Sequence, residues 1–270
     1  MKGGSALIID SHCHIYPDAI APRAVEGIGR FYDMPLSYRG TARDLCAVHD
    51  LAGVTHAVVF SVATTPHQVK SINAFIAEAV KDSGGRFVGL GTLHPDSECL
   101  EEELEHIASL GLRGVKLHPD FQRFHADGAR SMRICAMCEE RALPVLLHCG
   151  DARYDFSSPS RIARVLKSFP RLTVLGAHLG GWSQWEEALR LLPAYENFYV
   201  DTCSSLYALS PTRAKEIIRA YGAHRVLFGT DYPMWDIADE LSRLHALELE
   251  REEEENILFC NACRLFGFFD

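Results

Sequence analysis

Short, nearly continuous apolar runs alternate with amphipathic stretches along the chain. The runs Ala6–Ile9, His56–Ser61, Phe87–Gly91, Gly114–Leu117, Pro144–Leu147, Thr173–Gly176, Phe198–Val200 and Val226–Phe228 are β-branched or Leu-rich. That is the pattern of parallel strands covered on both faces. Between them, apolar residues recur at helical spacing. Ile72, Phe75, Ile76, Ala79 and Val80 form one such stripe, Ile162, Val165, Leu166 and Phe169 a second, and Ala214, Ile217, Ile218 and Tyr221 a third. Ser158–Pro159 and Ser210–Pro211 read as helix starts, with Ser capping and Pro at the first helical position. Eight strand patterns with helices between them, in 270 residues, predict an α/β fold of the (β/α)8 TIM-barrel type, one domain spanning residues 1–270. The rival is a doubly wound open sheet, which calls for a Gly-rich nucleotide turn after its first strand. Here the first strand runs instead into His12-Cys13-His14.

One connection breaks the rhythm. Residues Ile15–Gly40 are rich in Pro, Gly and aromatics, and the first helical pattern begins only near Thr41. So long a β1–α1 loop predicts an active-site lid or binding loop, against the plainer reading of an irregular surface excursion.

Composition narrows the function classes. Lys plus Arg total 27 against 36 Asp plus Glu, a net charge of −9, which disfavours a nucleic-acid partner. No apolar run approaches the roughly 20 residues of a membrane span, and Met1–Ala6 does not resemble a signal peptide. A cytoplasmic protein with a small-molecule substrate is the expectation, and homo-oligomer formation stays open. The nine cysteines are an odd number and scattered, so reduced thiols fit better than disulfides. Cys135–Cys138 and Cys260–Cys263 fall in helical patterns, where this spacing puts two small apolar residues on one buried face. The acidic run Glu252–Glu255 reads as a solvated helix face.

Candidate chemistry sits at the carboxyl ends of the strands, where barrel active sites are built. The first strand ends in Asp10-Ser11-His12-Cys13-His14, and side chains two apart on a strand share a face, so His12 and His14 can converge on one ion. Lys116-Leu117-His118-Pro119 ends the fourth strand, His148 the fifth, His178 the sixth, and Gly229-Thr230-Asp231 the eighth. A single strand-end His is often a polar core residue. Four imidazoles and a carboxylate from four strands at one barrel mouth are hard to bury without a cation. Arg153 and Tyr154 after His148, Tyr232 and Trp235 after Asp231, and His118 beside Lys116 are candidate substrate contacts, and Arg153 with Arg123 is suggestive of an arginine cluster for carboxylates. Arg153 suits a substrate carboxylate, although a surface ion pair explains a lone Arg as well. His94, ending the third strand, reads as structural or as a support behind the site residues, and His49, His67, His106 and His245 lie in helical patterns without a functional signal.

The ordered set of His12-x-His14, Lys116, His148, His178 and Asp231 resembles the amidohydrolase superfamily. Asp10–His14, Gly114–Pro119, Gly176–Gly181, Gly229–Pro233 and the closing Asn256–Gly267 look like its amidohydrolase-2 branch over essentially the whole chain. The resemblance implies a metal-dependent hydrolase of a small amide, lactone or ester, with a divalent ion, most often zinc, activating water. His12, His14 and Asp231 would hold the ion, with His148 as a further ligand, and Asp231 or His178 would take the proton. The alternative on the same scaffold is a lyase, a non-oxidative decarboxylase of an unsaturated or aromatic carboxylic acid, whose mark would be an arginine cluster near the mouth. A non-catalytic barrel would have lost a ligand, and none is missing. Lys116 adds a question of count. In dihydroorotase-like members a Lys at this position becomes a carbamate bridging two metals, with His148 and His178 then serving the second ion. One metal with Lys116 near substrate is the favoured expectation here.

Overall fold

The computed structural model describes residues 7–269. Ala6 and the leader reading of Met1–Ala6 lie outside the described residues. The strands are β1 (Ile9–His14), β2 (His56–Phe60), β3 (Phe87–Gly89), β4 (Gly91–Thr92), β5 (Val115–Leu117), β6 (Val145–Leu147), β7 (Val174–Gly176), β8 (Phe198–Asp201) and β9 (Val226–Leu227). Each pairs in parallel with its sequence neighbour, except across the break between β3 and β4. Those two halves flank Leu90, whose N–H donates to Val59 O, whereas the N–H of Gly91 donates to Gly114 O. The chain thus passes from one neighbour to the other within a single barrel strand. The ring closes where Ser11 N–H donates to Phe228 O at 2.9 Å and His14 N–H to Tyr232 O at 2.8 Å. Closure excludes the open-sheet rival and makes the fold a TIM barrel.

Alternation along each strand sorts the core into two layers. Ile9, Val58, Phe60, Leu90, Leu146, Leu175 and Leu227 form one cluster inside the barrel, floored by Phe266 and Phe268 of the closing segment. Their neighbours along the strands, such as Ala57, Val59, Val115, Leu117, Val145, Leu147 and Val174, pack outward against the helices. The first strand breaks this alternation usefully. Asp10 pairs with Ala57 but Cys13 with Val59, so β1 carries one extra residue between them. This bulge flips the parity of the strand. Ile9 packs inside below it, and above it His12 and His14 turn inward while Cys13 and Ile15 join the outer layer.

Two helix starts differ in detail. Ser210 Oγ accepts the N–H of Arg213, a true cap. Ser158 occupies the equivalent position but donates its hydroxyl to Asp155 Oδ1 instead. Cys135 and Cys138 are buried together on their helix, whereas Cys260 and Cys263 are half-buried. Among the described residues, no helix is long and apolar enough to cross a membrane.

The segment Ile15–Gly40 is not an irregular loop. It contains a twelve-residue helix, Ala21–Tyr32, with Pro22 in its first turn and Asp33 closing it at φ 54°. Ala21 and Ile28 are its buried residues. Gly27 and Gly29 hide the helical pattern in the sequence, because glycine is a poor helix former, and packing on the barrel mouth overrides that propensity.

Candidate metal centre

His12, His14, Lys116, His118, His148, His178 and Asp231 converge on one cavity at the carboxyl end of the barrel. These residues are almost wholly buried, at 0–8% exposed. Ile28 and Tyr32 of the helix Ala21–Tyr32 cover the cavity, leaving only about 20 Å³ of space, room for one water.

Hydrogen-bond bookkeeping fixes where the protons are. Asp201 Oδ2 accepts from His12 Nδ1 at 2.7 Å, so His12 Nε2 carries a lone pair. That nitrogen lies 3.5 Å from Asp231 Oδ1, and His14 Nε2 lies 3.5 Å from the same oxygen. Burial, then the charge of Lys116, holds His12 well below the ordinary imidazole range. Burial also lowers His14. Burial alone would raise Asp231, but His12 and His14 outweigh it and hold the carboxyl well below its usual range. Neutral imidazoles facing an ionised carboxylate are the protonation states that metal ligands require. The two separations from Asp231 Oδ1, 3.5 Å each, are close to the edge of about 3.4 Å between ligands of a tetrahedral zinc ion. The set around Asp231 whose ligand atoms all lie within 4.8 Å of one another is His12, Asp231 and Cys203. In chemistry, two neutral imidazoles and an ionised carboxylate are a donor set that fits a divalent cation.

Lys116 lies behind this set, with Nζ 3.3 Å from His12 Nε2 and 5.0 Å from the centroid of the Phe60 ring. Burial pushes its ammonium down to about 8. His148 reaches the cavity, but its Nδ1 lies 2.9 Å from His178 Nε2. His178 Nδ1 donates to Cys203 O at 3.1 Å, so its Nε2 accepts from His148. The other nitrogen of His148, Nε2, is buried without a hydrogen-bond partner, 3.6 Å from Asp120 Oδ2. His148 thus stands off from Asp231 in this arrangement and keeps one unused nitrogen. His118 stacks on His148 with ring centroids 3.8 Å apart, and its Nε2 meets the Tyr32 hydroxyl at 3.2 Å.

The candidate substrate contacts divide. Trp235 supports Asp231 through a relay, its Nε1–H donating to Ser204 Oγ at 2.8 Å and Ser204 donating to Asp231 Oδ2 at 2.5 Å. Tyr232 points away from the cavity, with its hydroxyl 2.9 Å from Asp44 Oδ2 and its ring stacked on Tyr38. Arg153 is already occupied. It grips Asp151 through Nε and Nη2, donates from Nη1 to Phe31 O at 2.7 Å, and lies over the rings of Phe31, Tyr32, Tyr154 and Trp182. Tyr154 belongs to this aromatic box and not to the cavity. Arg123 closes a short helix at φ 57° and lines no part of the cavity. His94 is structural, its Nδ1 accepting the N–H of Asp96.

Sequence reasoning passed over Asp201, Ser204 and Tyr32. Asp201 had a signal, being the acid that ends strand β8 at the mouth; Tyr32 needed the hidden helix. His49 was set aside, yet it is fully buried with Nε2 3.2 Å from Asp10 Oδ2. Asp10 in turn accepts from Thr230 N–H and its hydroxyl, tying β1 to the segment that carries Asp231.

A family model for amidohydrolases matches residues 9–268, and the chain belongs to that amidohydrolase-2 family. Its fold matches an uncharacterised TIM-barrel protein from Bordetella bronchiseptica (24% identity, TM-score 0.77, covering 96% of this chain and 98% of that one). It also matches a candidate 2-pyrone-4,6-dicarboxylic acid hydrolase from Acinetobacter baumannii with citric acid bound (18%, 0.70, 97% and 99%). A third match is a mutant 5-carboxyvanillate decarboxylase from Novosphingobium aromaticivorans with bound manganese and 3-methoxy-4-hydroxy-5-nitrobenzoic acid (16%, 0.72, 97% and 97%). A search of curated proteins finds no match.

Proposed function

We propose that the chain is a metal-dependent hydrolase of a small amide, lactone or ester. The observation that carries this reading is the meeting of the His12 and His14 Nε2 atoms with Asp231 Oδ1, where His12 turns a lone pair to the carboxylate with no proton to join them. His12, His14 and Asp231 would hold one divalent ion, zinc in the first instance, and His148, whose unpartnered Nε2 lies beside Asp120 in this arrangement, would have to turn toward Asp231 to serve as a fourth donor. When bound, such an ion lowers the pKa of water and polarises a carbonyl.

The remaining steps belong to the side chains. Asp231, oriented by Ser204 and Trp235, and His178, whose Nε2 lone pair accepts from His148 until that imidazole moves aside, are the two groups that would take the proton from water and return it to the leaving group. Lys116 supplies positive charge beside the developing oxyanion. The helix Ala21–Tyr32 excludes bulk water through Ile28 and Tyr32 and acts as the lid. The lyase reading calls for arginines at the mouth. Among the described residues none lines the metal-site cavity, Arg153 is held by Asp151, and Arg23 lines only the neighbouring groove, so no arginine cluster forms. That favours hydrolysis.

The test is turnover of a panel of simple esters, lactones and amides by the purified protein before and after chelation. Hydrolysis lost on chelation and restored by zinc or manganese supports the reading. Release of CO₂ from aromatic carboxylic acids with no hydrolysis would overturn it.

A further inference from the structure

Two volumes meet at the helix Ala21–Tyr32. The one over the metal-site residues is nearly closed, at about 20 Å³. The other is an open groove of about 660 Å³, the size of a small-molecule binding pocket. His14, Ile28 and Phe121 face both. The helix contributes Ala24, Ile28 and Phe31 to the groove, and the helix Val69–Asp82 contributes Ile72 and Phe75. This apolar lining is not fully covered by the protein, and Ile20 at its rim is 52% exposed. One cation stands on the same wall. Arg23 lines the groove and makes no ion pair or side-chain hydrogen bond among the described residues. Its neighbour Glu26 is taken by Arg30.

An apolar groove that begins at a proposed metal ligand and carries an exposed, unpaired guanidinium on its wall suits a particular ligand. We propose that the groove binds an apolar arm of the substrate, running outward from the bond cleaved beside His14 to a carboxylate that pairs with Arg23. The proposal rests on the metal-hydrolase reading and adds to it the substrate class, an amide, lactone or ester whose acyl part ends in a second, free acid. Arg23 and Ile28 are five residues apart on one helix, about 7.5 Å along its axis, so the arm spans about six carbons. The aliphatic and aromatic walls provide the burial that holds such an arm, and the carboxylate fixes its direction.

Three hydroxamates test this on the metal-loaded protein by calorimetry. Acetohydroxamate reaches only the metal, octanohydroxamate adds the arm, and suberic acid monohydroxamate adds the terminal carboxylate. The expected order is a gain of about 100-fold from the first to the second and about 10-fold more for the third. Ala24→Trp and Ile72→Asp, one from each wall, should each shrink the first gain to a few-fold, and Arg23→Gln should remove only the second. Each variant's acetohydroxamate affinity and circular dichroism give the reference for an intact site and fold. Equal affinity of the acetyl and octanoyl probes, or a gain that survives both wall variants, would overturn the groove while leaving the metal site standing. No binding of acetohydroxamate would contradict the metal site itself, and with it this proposal.

Discussion

Asp201 Oδ2 accepts the Nδ1–H of His12 at 2.7 Å, while its Oδ1 accepts the backbone N–H of His178 at 2.9 Å and the thiol of Cys203. One buried carboxylate therefore sets the tautomer of a proposed ligand and pins the residue proposed to move a proton. His178 sits at φ 61° and is followed by Leu179 at φ 51°, backbone that needs such support. Carboxylates behind a ligating His commonly change metal affinity by about 10–100-fold when lost. Asp201→Asn should weaken zinc binding by that order with the fold retained, as read by chelator competition and circular dichroism. Unchanged affinity would show that His12 does not depend on Asp201.

Asp231→Asn keeps the shape of the side chain and its contact with Ser204 but removes its charge. Turnover should fall about 10²-fold or more. Measuring the metal content of the same sample separates loss of the ion from loss of the base. Near-normal turnover with full metal would assign the proton to His178, and His178→Asn should then carry the loss.

Arg153 latches the helix Ala21–Tyr32 to the segment after β6, through Phe31 O and four aromatic rings. Stacking and the backbone bond together hold the C-terminal end of the lid. In Arg153→Gln, amide exchange across Ala21–Tyr32 should quicken by about 10-fold or more while exchange in the barrel strands stays unchanged. Uniform acceleration, or none, would deny the latch.

Much of this was legible in the sequence because it was written in strand-end chemistry. The barrel strands are apolar runs, and His12, His14, His178 and Asp231 follow them at the positions where a barrel presents side chains to its mouth. What stayed hidden depends on contacts between distant segments. The bulge in β1 that turns His12 and His14 inward is a matter of register against β2, and sequence spacing carries no register. The helix Ala21–Tyr32 is masked by its own glycines. Arg153 and Tyr232 follow metal-site residues in sequence, as substrate contacts often do, but each found a partner first, Asp151 for one and Asp44 for the other.

Glu240 gives a pH signature unconnected with turnover. It is fully buried, its Oε2 has no partner, and Oε1 accepts from Arg243. Burial raises its carboxyl from 4.5 to about 7. A raised carboxyl favours the folded state only while protonated, so the stability it permits is present below pH 4.5 and is lost as pH rises through about 7. Glu240→Gln should therefore stabilise the fold at pH 8, by at most about 3 kcal/mol, and change its stability little at pH 4.5, as read by denaturant unfolding. An equal change at both pH values would contradict the assignment.

The central claim is that His12 and His14 hold a metal, and native mass spectrometry with elemental analysis tests it most directly. The account predicts one divalent ion per chain, an unmodified Lys116 amine, and loss of the ion in the His12→Ala/His14→Ala double variant. Full metal content in the double variant would contradict the site, and two ions with a carboxylated Lys116 would contradict the single-ion assignment.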